Sequence, residues 1–196
     1  MDDAAILILA AGASTRMRGR DKLLEQVDGE PLLARQVRIA AATGRPVHVA
    51  LPAGPHSRRA LLGDASGIDI PPAPFGLGHT IAAGIAALRA SPAVLLLLAD
   101  LPELDTSDLA AVLDARRAPG DVLRGATAAG VPGHPILIPR VAYSDFLSLA
   151  GDDGGRSALR RHSVRLIQLP GERAIRDLDT PESWREWRAG RTAPSS

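Results

Sequence analysis

The chain predicts an α/β fold: a single-domain, doubly wound, mainly parallel sheet with helices on both faces. Residues 6–10 (ILILA) and 93–99 (AVLLLLA) are apolar without two-residue alternation, the pattern of strands covered on both faces. Helical and strand patterns then alternate along nearly the whole chain, as parallel strands joined by crossovers require. Finally, 196 residues with 45% hydrophobic and 23% charged side chains suffice for one substantial core and fall short of two. The expected division is one domain over residues 1–188 and a flexible tail over 189–196.

The first strand, residues 6–10, runs into the small residues Ala11, Gly12, Ala13 and Ser14, which open a loop. Residues 31–42 form the first helix. Leu32, Leu33, Val37, Ile39 and Ala40 give it an apolar face, Pro31 suits its first turn and Gly44 its C-terminal cap. Residues 47–51 are a short strand stopped by Pro52, which completes a βαβ unit. Residues 56–63 read as a short helix and 68–70 as a strand, ahead of the turn-rich PPAPFGLG at 71–78. The helix at 79–90 is so rich in Ala and Gly that it must pack closely, and it leads into 93–99, the most apolar strand and hence a central one. The second half reads as a helix at 107–117, strands at 122–126 and 136–138, and a helix at 141–149. A GDDGG turn at 151–155, a short helix to His162, a strand at 164–169 and a helix from Pro181 follow, with room for antiparallel pairing.

Composition excludes several classes of function. A net charge of +1 gives no general field for nucleic acid, and five aromatic rings (two Phe, two Trp, one Tyr) offer few platforms for stacking bases. Without cysteine there is no disulfide, thiolate nucleophile or Cys-ligated zinc, a composition compatible with a reducing compartment. No charged leader with an apolar segment and cleavage site is visible, and no stretch approaches 18 apolar residues, so a soluble, cytoplasmic protein with no membrane partner is expected.

Ligands of doubly wound sheets sit beyond the carboxyl ends of strands. After the first strand, the small residues 11–14 allow close backbone approach with N–H groups free for anionic oxygens, while Arg16 and Lys22 supply charge for a polyphosphate. The loop is neither a P-loop, since no Gly-Lys-Ser/Thr follows Gly12, nor a dinucleotide fingerprint, since Ala13, Ser14 and Arg16 break the three-glycine spacing. The plainer alternative is a turn whose arginines are solvated. Asp100 ends the central strand, where it either holds a hard cation or caps loop amides. In IRDLDTPESW, Asp177 and Asp179 alternate with Leu178 and project from one side of an extended segment; Asp179 suits a metal, whereas Asp177 reads as complementing the following helix. Thr180 and Pro181 supply that helix's N-cap and first residue. Gly154, Gly155 and Arg156 either seat a second anion or form a tight connection, and His134 either faces substrate or is structural.

Taken in order, LAAGASTRM with Lys22 downstream, FGLGHTIAAGI, LLADLP, GHPILIP, GDDGGR and DLDTPE resemble the molybdenum cofactor nucleotidyltransferases. The resemblance is to the cytidylyltransferase branch of the MobA-like NTP transferase family, with its nucleotide-diphospho-sugar transferase-like fold. It implies transfer of CMP from CTP to the terminal phosphate of molybdopterin, with release of pyrophosphate, and a molybdenum hydroxylase apoenzyme as recipient. By position, the resemblance assigns the nucleotide to Leu9, Ala10, Ala11, Gly12, Ala13, Ser14, Arg16 and Lys22, with backbone near Gly76, Gly78 and Thr80 reading the base. Asp100 and Asp179 would hold Mg²⁺, or Mn²⁺ in its place, and His134, Gly155 and Arg156 would meet the acceptor. The guanylyl branch resembles Leu-Ala-Gly-Gly at the first loop; here the methyl of Ala11 would crowd a purine, which implies CTP. Arg18 makes the loop one residue longer than the family pattern, and 71–80 is poor in polar side chains for base reading. Competing readings are a guanylyltransferase, a sugar-phosphate nucleotidyltransferase of the same fold, and a non-catalytic carrier of nucleotide or molybdopterin.

Overall fold

The computed structural model describes residues 4–71, 76–151 and 153–192, so the expected turns at 71–78 and 151–155 and the tail at 189–196 lie partly outside the described residues. In chain order the elements are β1 (Ala5–Leu9), β2 (Gln26–Val27), β3 (Glu30–Pro31), α1 (Leu32–Ala41), β4 (Val47–Pro52), β5 (Ser66–Ile70), α2 (Gly76–Ala87) and β6 (Ala93–Leu98). Then come α3 (Thr106–Asp114), β7 (Val122–Ala126), β8 (Pro132–Pro139), α4 (Tyr143–Leu147), α5 (Arg156–Leu159), β9 (Val164–Gln168) and α6 (Pro181–Thr192).

The fold is the expected one. Seven strands form one sheet in the order β5-β4-β1-β6-β8-β7-β9. All neighbours pair in parallel except β8, which runs against both β6 and β7. The chain builds outward from β1 to β4 and β5, then returns through α2 to β6 on the other side of β1. That reversal opens a crevice beyond the carboxyl ends of β1 and β6, where ligands of such sheets bind.

Each strand face has its own core. Ile6, Ile8, Leu95, Leu97, Leu123 and Leu137 pack on one side with Leu32, Leu33, Leu109, Trp184 and Trp187. Leu7, Val94, Leu96, Val122, Ile136 and Ile138 pack on the other with Ile81, Ile85, Phe146 and Leu159. The small residues of α2 have the anticipated purpose: a Cβ at Gly84 would sit 2.4 Å from Leu7 Cδ2, so the helix lies directly on the sheet.

Some boundaries differ from expectation. Asp28 (φ 51°) and Gly29 (φ 87°) form the tight turn of a β2–β3 hairpin that the sequence reading omitted, although Asp-Gly is a turn signal of that kind. Pro31 caps α1 rather than opening it, with extended φ −58° and ψ 140°. β8 begins at Pro132, well before the expected 136, because the ladder continues past Pro135 through a register shift opposite Arg124 and Ala126. α6 runs beyond residue 188 to Thr192, tied down where Arg191 Nη2 bonds Asp28 Oδ1 at 2.6 Å and its guanidinium stacks on Trp187. Among the described residues no helix is long and apolar enough to cross a membrane.

β8 also anchors the segment that carries Asp177 and Asp179. The His134 N–H donates to the Ala174 carbonyl at 2.8 Å, and a Cβ at Gly133 would stand 2.1 Å from that same oxygen. Gly133→Ala must therefore push the segment away, and we expect a loss of about 1–3 kcal/mol by urea denaturation, with an unchanged m-value.

Candidate active site

The loop after β1 is pinned at two buried residues. Met17 and Leu23 are buried at 0% and 3% exposure, each within a short 3-10 turn, Thr15–Met17 and Lys22–Leu24. Between them Arg18 (φ 53°) and Gly19 (φ 85°) take left-handed conformations. This turn sends Arg18 out to Glu182 at 3.2 Å, while Lys22 faces the crevice. Among the described residues nothing requires glycine at Gly12: its φ is not positive, and a Cβ there meets nothing within 4 Å. The space beside it belongs to the cleft.

A second support comes from Arg58, which sequence reasoning passed over. Its guanidinium, 2% exposed, donates to Asp21 Oδ2 at 2.7 Å, Asp21 Oδ1 at 2.8 Å and the Ala10 carbonyl at 2.5 Å. Asp21 in turn accepts from the Leu23 N–H at 3.0 Å and the Ser14 hydroxyl at 3.3 Å. One side chain thus joins the end of β1 to both ends of the loop. Burial alone would push the Asp21 pKa up, but the Arg58 hydrogen bonds and the Leu23 N–H hold it below the usual carboxylate range. Nothing in the sequence distinguishes Arg58 from its neighbour Arg59, which stays at the surface with Asp69.

At the floor of the crevice Lys22 Nζ lies 2.5 Å from Asp100 Oδ2 and 2.5 Å from Asp179 Oδ1. Arg16 Nη2 meets the other oxygen of Asp179 at 2.7 Å. Burial disfavours the Lys22 ammonium, yet the two carboxylates outweigh it and raise its pKa. Asp100, Asp177 and Asp179 each offer an oxygen, and these lie within 4.8 Å of one another. Asp177, which the sequence reads as complementing the following helix, thus also stands beside Asp100 and Asp179. Its pKa is raised by burial and then by Asp179 and Asp100. Leu178 between them is buried, as alternation required.

α6 fixes this segment. Trp184 Nε1 donates to the Leu178 carbonyl at 3.1 Å and Trp187 Nε1 to Glu103 Oε1 at 2.9 Å, which draws 177–179 against the loop after Asp100. The expected Thr180 cap is present, with the Ser183 N–H donating to Thr180 Oγ1 at 3.1 Å. The donor set suits a hard divalent cation: three carboxylates converge, and Asp100 Oδ1 is buried with no hydrogen-bond partner.

The cleft has a volume of about 1110 Å³. Of the nucleotide-side residues expected from the sequence, 9–14, Arg16, Lys22, Gly76 and Thr80 line it together with Asp100 and Asp179. Gly78 is not among the lining residues: its N–H donates to the Gly151 carbonyl at 2.8 Å, and a Cβ would meet Ala150 O at 2.9 Å. His134, Gly155 and Arg156 are likewise absent from the lining; Gly155 (φ 86°) caps α5 against Phe146.

Residues 6–166 match the family model described as the MobA-like NTP transferase domain. The molybdenum cofactor guanylyltransferase of Burkholderia vietnamiensis is 31% identical over 194 residues, covering 92% of this chain and 91% of the relative. The bifunctional protein GlmU of Mycolicibacterium gilvum is 34% identical over 125 residues, and the match spans 58% of this chain but only 25% of that longer relative. Among solved structures, Rv0371c from Mycobacterium tuberculosis H37Rv superimposes with a TM-score of 0.82 at 23% identity, covering 94% of this chain and 96% of that one. A second crystal structure of Rv0371c, in complex with manganese, gives 0.76 at 21% identity, covering 94% and 97%.

Proposed function

Because the chain belongs to the family of MobA-like NTP transferase domains, we propose that it transfers a nucleoside monophosphate from an NTP, CTP by preference, to the terminal phosphate of molybdopterin. One observation carries this reading: Lys22, delivered by the loop after β1, sits between Asp100 and Asp179 at the floor of a cleft large enough for a nucleotide. The manganese bound by the Rv0371c neighbour supports a divalent cation here.

An oxygen of the acceptor phosphate attacks the α-phosphorus of the NTP, the bond to the β-phosphate oxygen breaks, and pyrophosphate leaves. With a second pKa of about 6 the acceptor monoester is already mostly dianionic at neutral pH, so no general base is needed. The chain's task is alignment and relief of charge between two approaching anions. Lys22 and Arg16, held in reserve on carboxylates, turn to the triphosphate oxygens, while the backbone at 11–14 with its open side at Gly12 receives the phosphates. Asp100, Asp177 and Asp179 would hold Mg²⁺ or Mn²⁺, whose charge stabilises the crowded phosphate oxygens. The preference for CTP rests on the methyl of Ala11 in the cleft wall. GTP is the competing choice, for which the name of the Burkholderia relative speaks. The product would pass to a molybdenum hydroxylase apoenzyme.

The test is pyrophosphate release with CTP or GTP and either molybdopterin or a sugar 1-phosphate, with Mg²⁺ or Mn²⁺. We expect CTP with molybdopterin to exceed every other pair by at least tenfold, and Ala11→Gly to narrow the gap to GTP. Preference of the unaltered protein for GTP would move it to the guanylyl branch. Binding without release from any pair would make it a carrier.

A further inference from the structure

The cleft is chemically divided along the carboxyl edge of the sheet. Beside the end of β6 stand Lys22 and the carboxylates of Asp100, Asp177 and Asp179. The other wall, at the ends of β4 and β5 and the start of α2, is apolar: Pro52, Ala53, Ile70, Pro71 and Leu77. β6, β1 and β4 are successive strands of the sheet, so the two ends lie about 10 Å apart, the step from a nucleotide's phosphates to its base. Phosphates belong at the charged end and a flat, weakly polar base at the apolar one. Residues 71–80 offer few polar side chains to read that base. The structure brings one in from outside the segment, because His56, which follows β4, lines the same cleft.

His56 is half-buried and caps a 3-10 helix, Ser57–Leu61: its Nδ1 accepts the Arg58 N–H at 3.3 Å. With Nδ1 as the acceptor, the ring proton sits on Nε2. The tautomer is thereby set, and the opposite edge of the ring is a donor. That edge makes no hydrogen bond among the described residues. The helix it caps is anchored, since the Arg58 guanidinium is tied to the Ala10 carbonyl and to Asp21. The ring is thus carried on the same frame that shapes the loop after β1.

We propose that His56 reads the nucleobase, with Nε2–H donating to the O2 carbonyl of a pyrimidine seated against the apolar wall. This rests on the nucleotidyltransferase reading and adds to it a specificity-determining side chain. A fixed donor is selective. Cytosine and uracil both present the O2 acceptor to it, whereas the corresponding edge of guanine presents N1–H and the N2 amino group. Opposed donors would leave both sides without a partner. His56 therefore separates pyrimidines from guanine and leaves the choice of cytosine over uracil to other groups.

The experiment is calorimetric binding of CTP, UTP, GTP and inorganic tripolyphosphate to the full chain with Mg²⁺, in two variants that divide the tasks of the ring. Asparagine keeps an acceptor near the Nδ1 position, and so the cap, but has nothing at Nε2. Glutamine reaches the Nε2 position with a donor amide and forfeits the cap. His56→Asn should melt like the unaltered protein and weaken CTP and UTP about five- to tenfold, with GTP and tripolyphosphate within about twofold. His56→Gln should melt a few degrees lower and bind CTP nearly as tightly as the unaltered protein. Unchanged CTP affinity in folded His56→Asn overturns the proposal and leaves nucleotide transfer standing. An equal loss for tripolyphosphate does the same, since the ring would then serve only the loop that meets the phosphates. Tighter binding of GTP than of CTP by the unaltered protein also overturns it. If none of the four ligands binds, the nucleotidyltransferase reading falls and this inference with it.

Discussion

Lys22→Met should lower turnover about a thousandfold, the scale of removing one cation or donor that meets charge in a phosphoryl or acyl transition state, and should make the folded protein depend on divalent cations. The two effects share a cause. In the free protein the ammonium neutralises Asp100 and Asp179, whose side chains are each only 18% exposed. Without it, three carboxylates remain within 4.8 Å of one another with Arg16 as their nearest remaining counter-charge. Removing one partner of a mostly buried pair costs about 3 kcal/mol, so the melting temperature of the metal-free variant should fall by several degrees. Millimolar Mn²⁺ should then raise the melting temperature of Lys22→Met more than that of the unaltered protein, because the cation no longer competes with an ammonium and stabilises by mass action. Near-normal pyrophosphate release by the variant would place the triphosphate elsewhere. Identical melting with and without Mn²⁺ in both proteins would deny the acidic group a metal.

The sequence was most legible where one physical signal dominates. Apolar runs at β1 and β6 marked both strands whose ends border the cleft, and the alternation in Asp177-Leu178-Asp179 set both acids on one side with Leu178 inward. It was least legible where tertiary partners decide. Asp177 looks like a helix-end acid until α6 draws it beside Asp100, and β8 is disguised by Pro132, Gly133 and Pro135, residues that ordinarily end strands. Arg58 and Arg59 are adjacent and chemically identical; only the fold, by setting one against Ala10 and Asp21, makes the first part of the site's frame. Gly78 shows the reverse situation. A glycine in a helix entrance beside a binding loop invites a ligand, yet its missing side chain makes room for the backbone of Ala150 and Gly151.

Arg58→Met should destabilise the protein by about 3–5 kcal/mol, since it strands the Asp21 carboxylate, 17% exposed, and leaves the Ala10 carbonyl without its donor. Methionine fills most of the volume, so the loss reports charge and hydrogen bonding more than a cavity. If the deficit comes from the uncompensated acid, removing the acid repairs it: Arg58→Met with Asp21→Asn should be more stable than Arg58→Met alone, a positive coupling in a double-mutant cycle. The pH dependence provides a second check. Because the folded Asp21 pKa is depressed, its contribution is fully present above the ordinary carboxylate pKa and is lost as pH falls through the lower folded value. Arg58→Met should lose that part of the acid sensitivity. Function should respond at a distance, since Asp21 is the residue before Lys22 and also holds Ser14: KM for the nucleotide should rise at least tenfold, with kcat falling less. Ordinary stability in Arg58→Met, or an unchanged KM in a folded variant, would mean that the loop after β1 keeps its shape without the buried arginine.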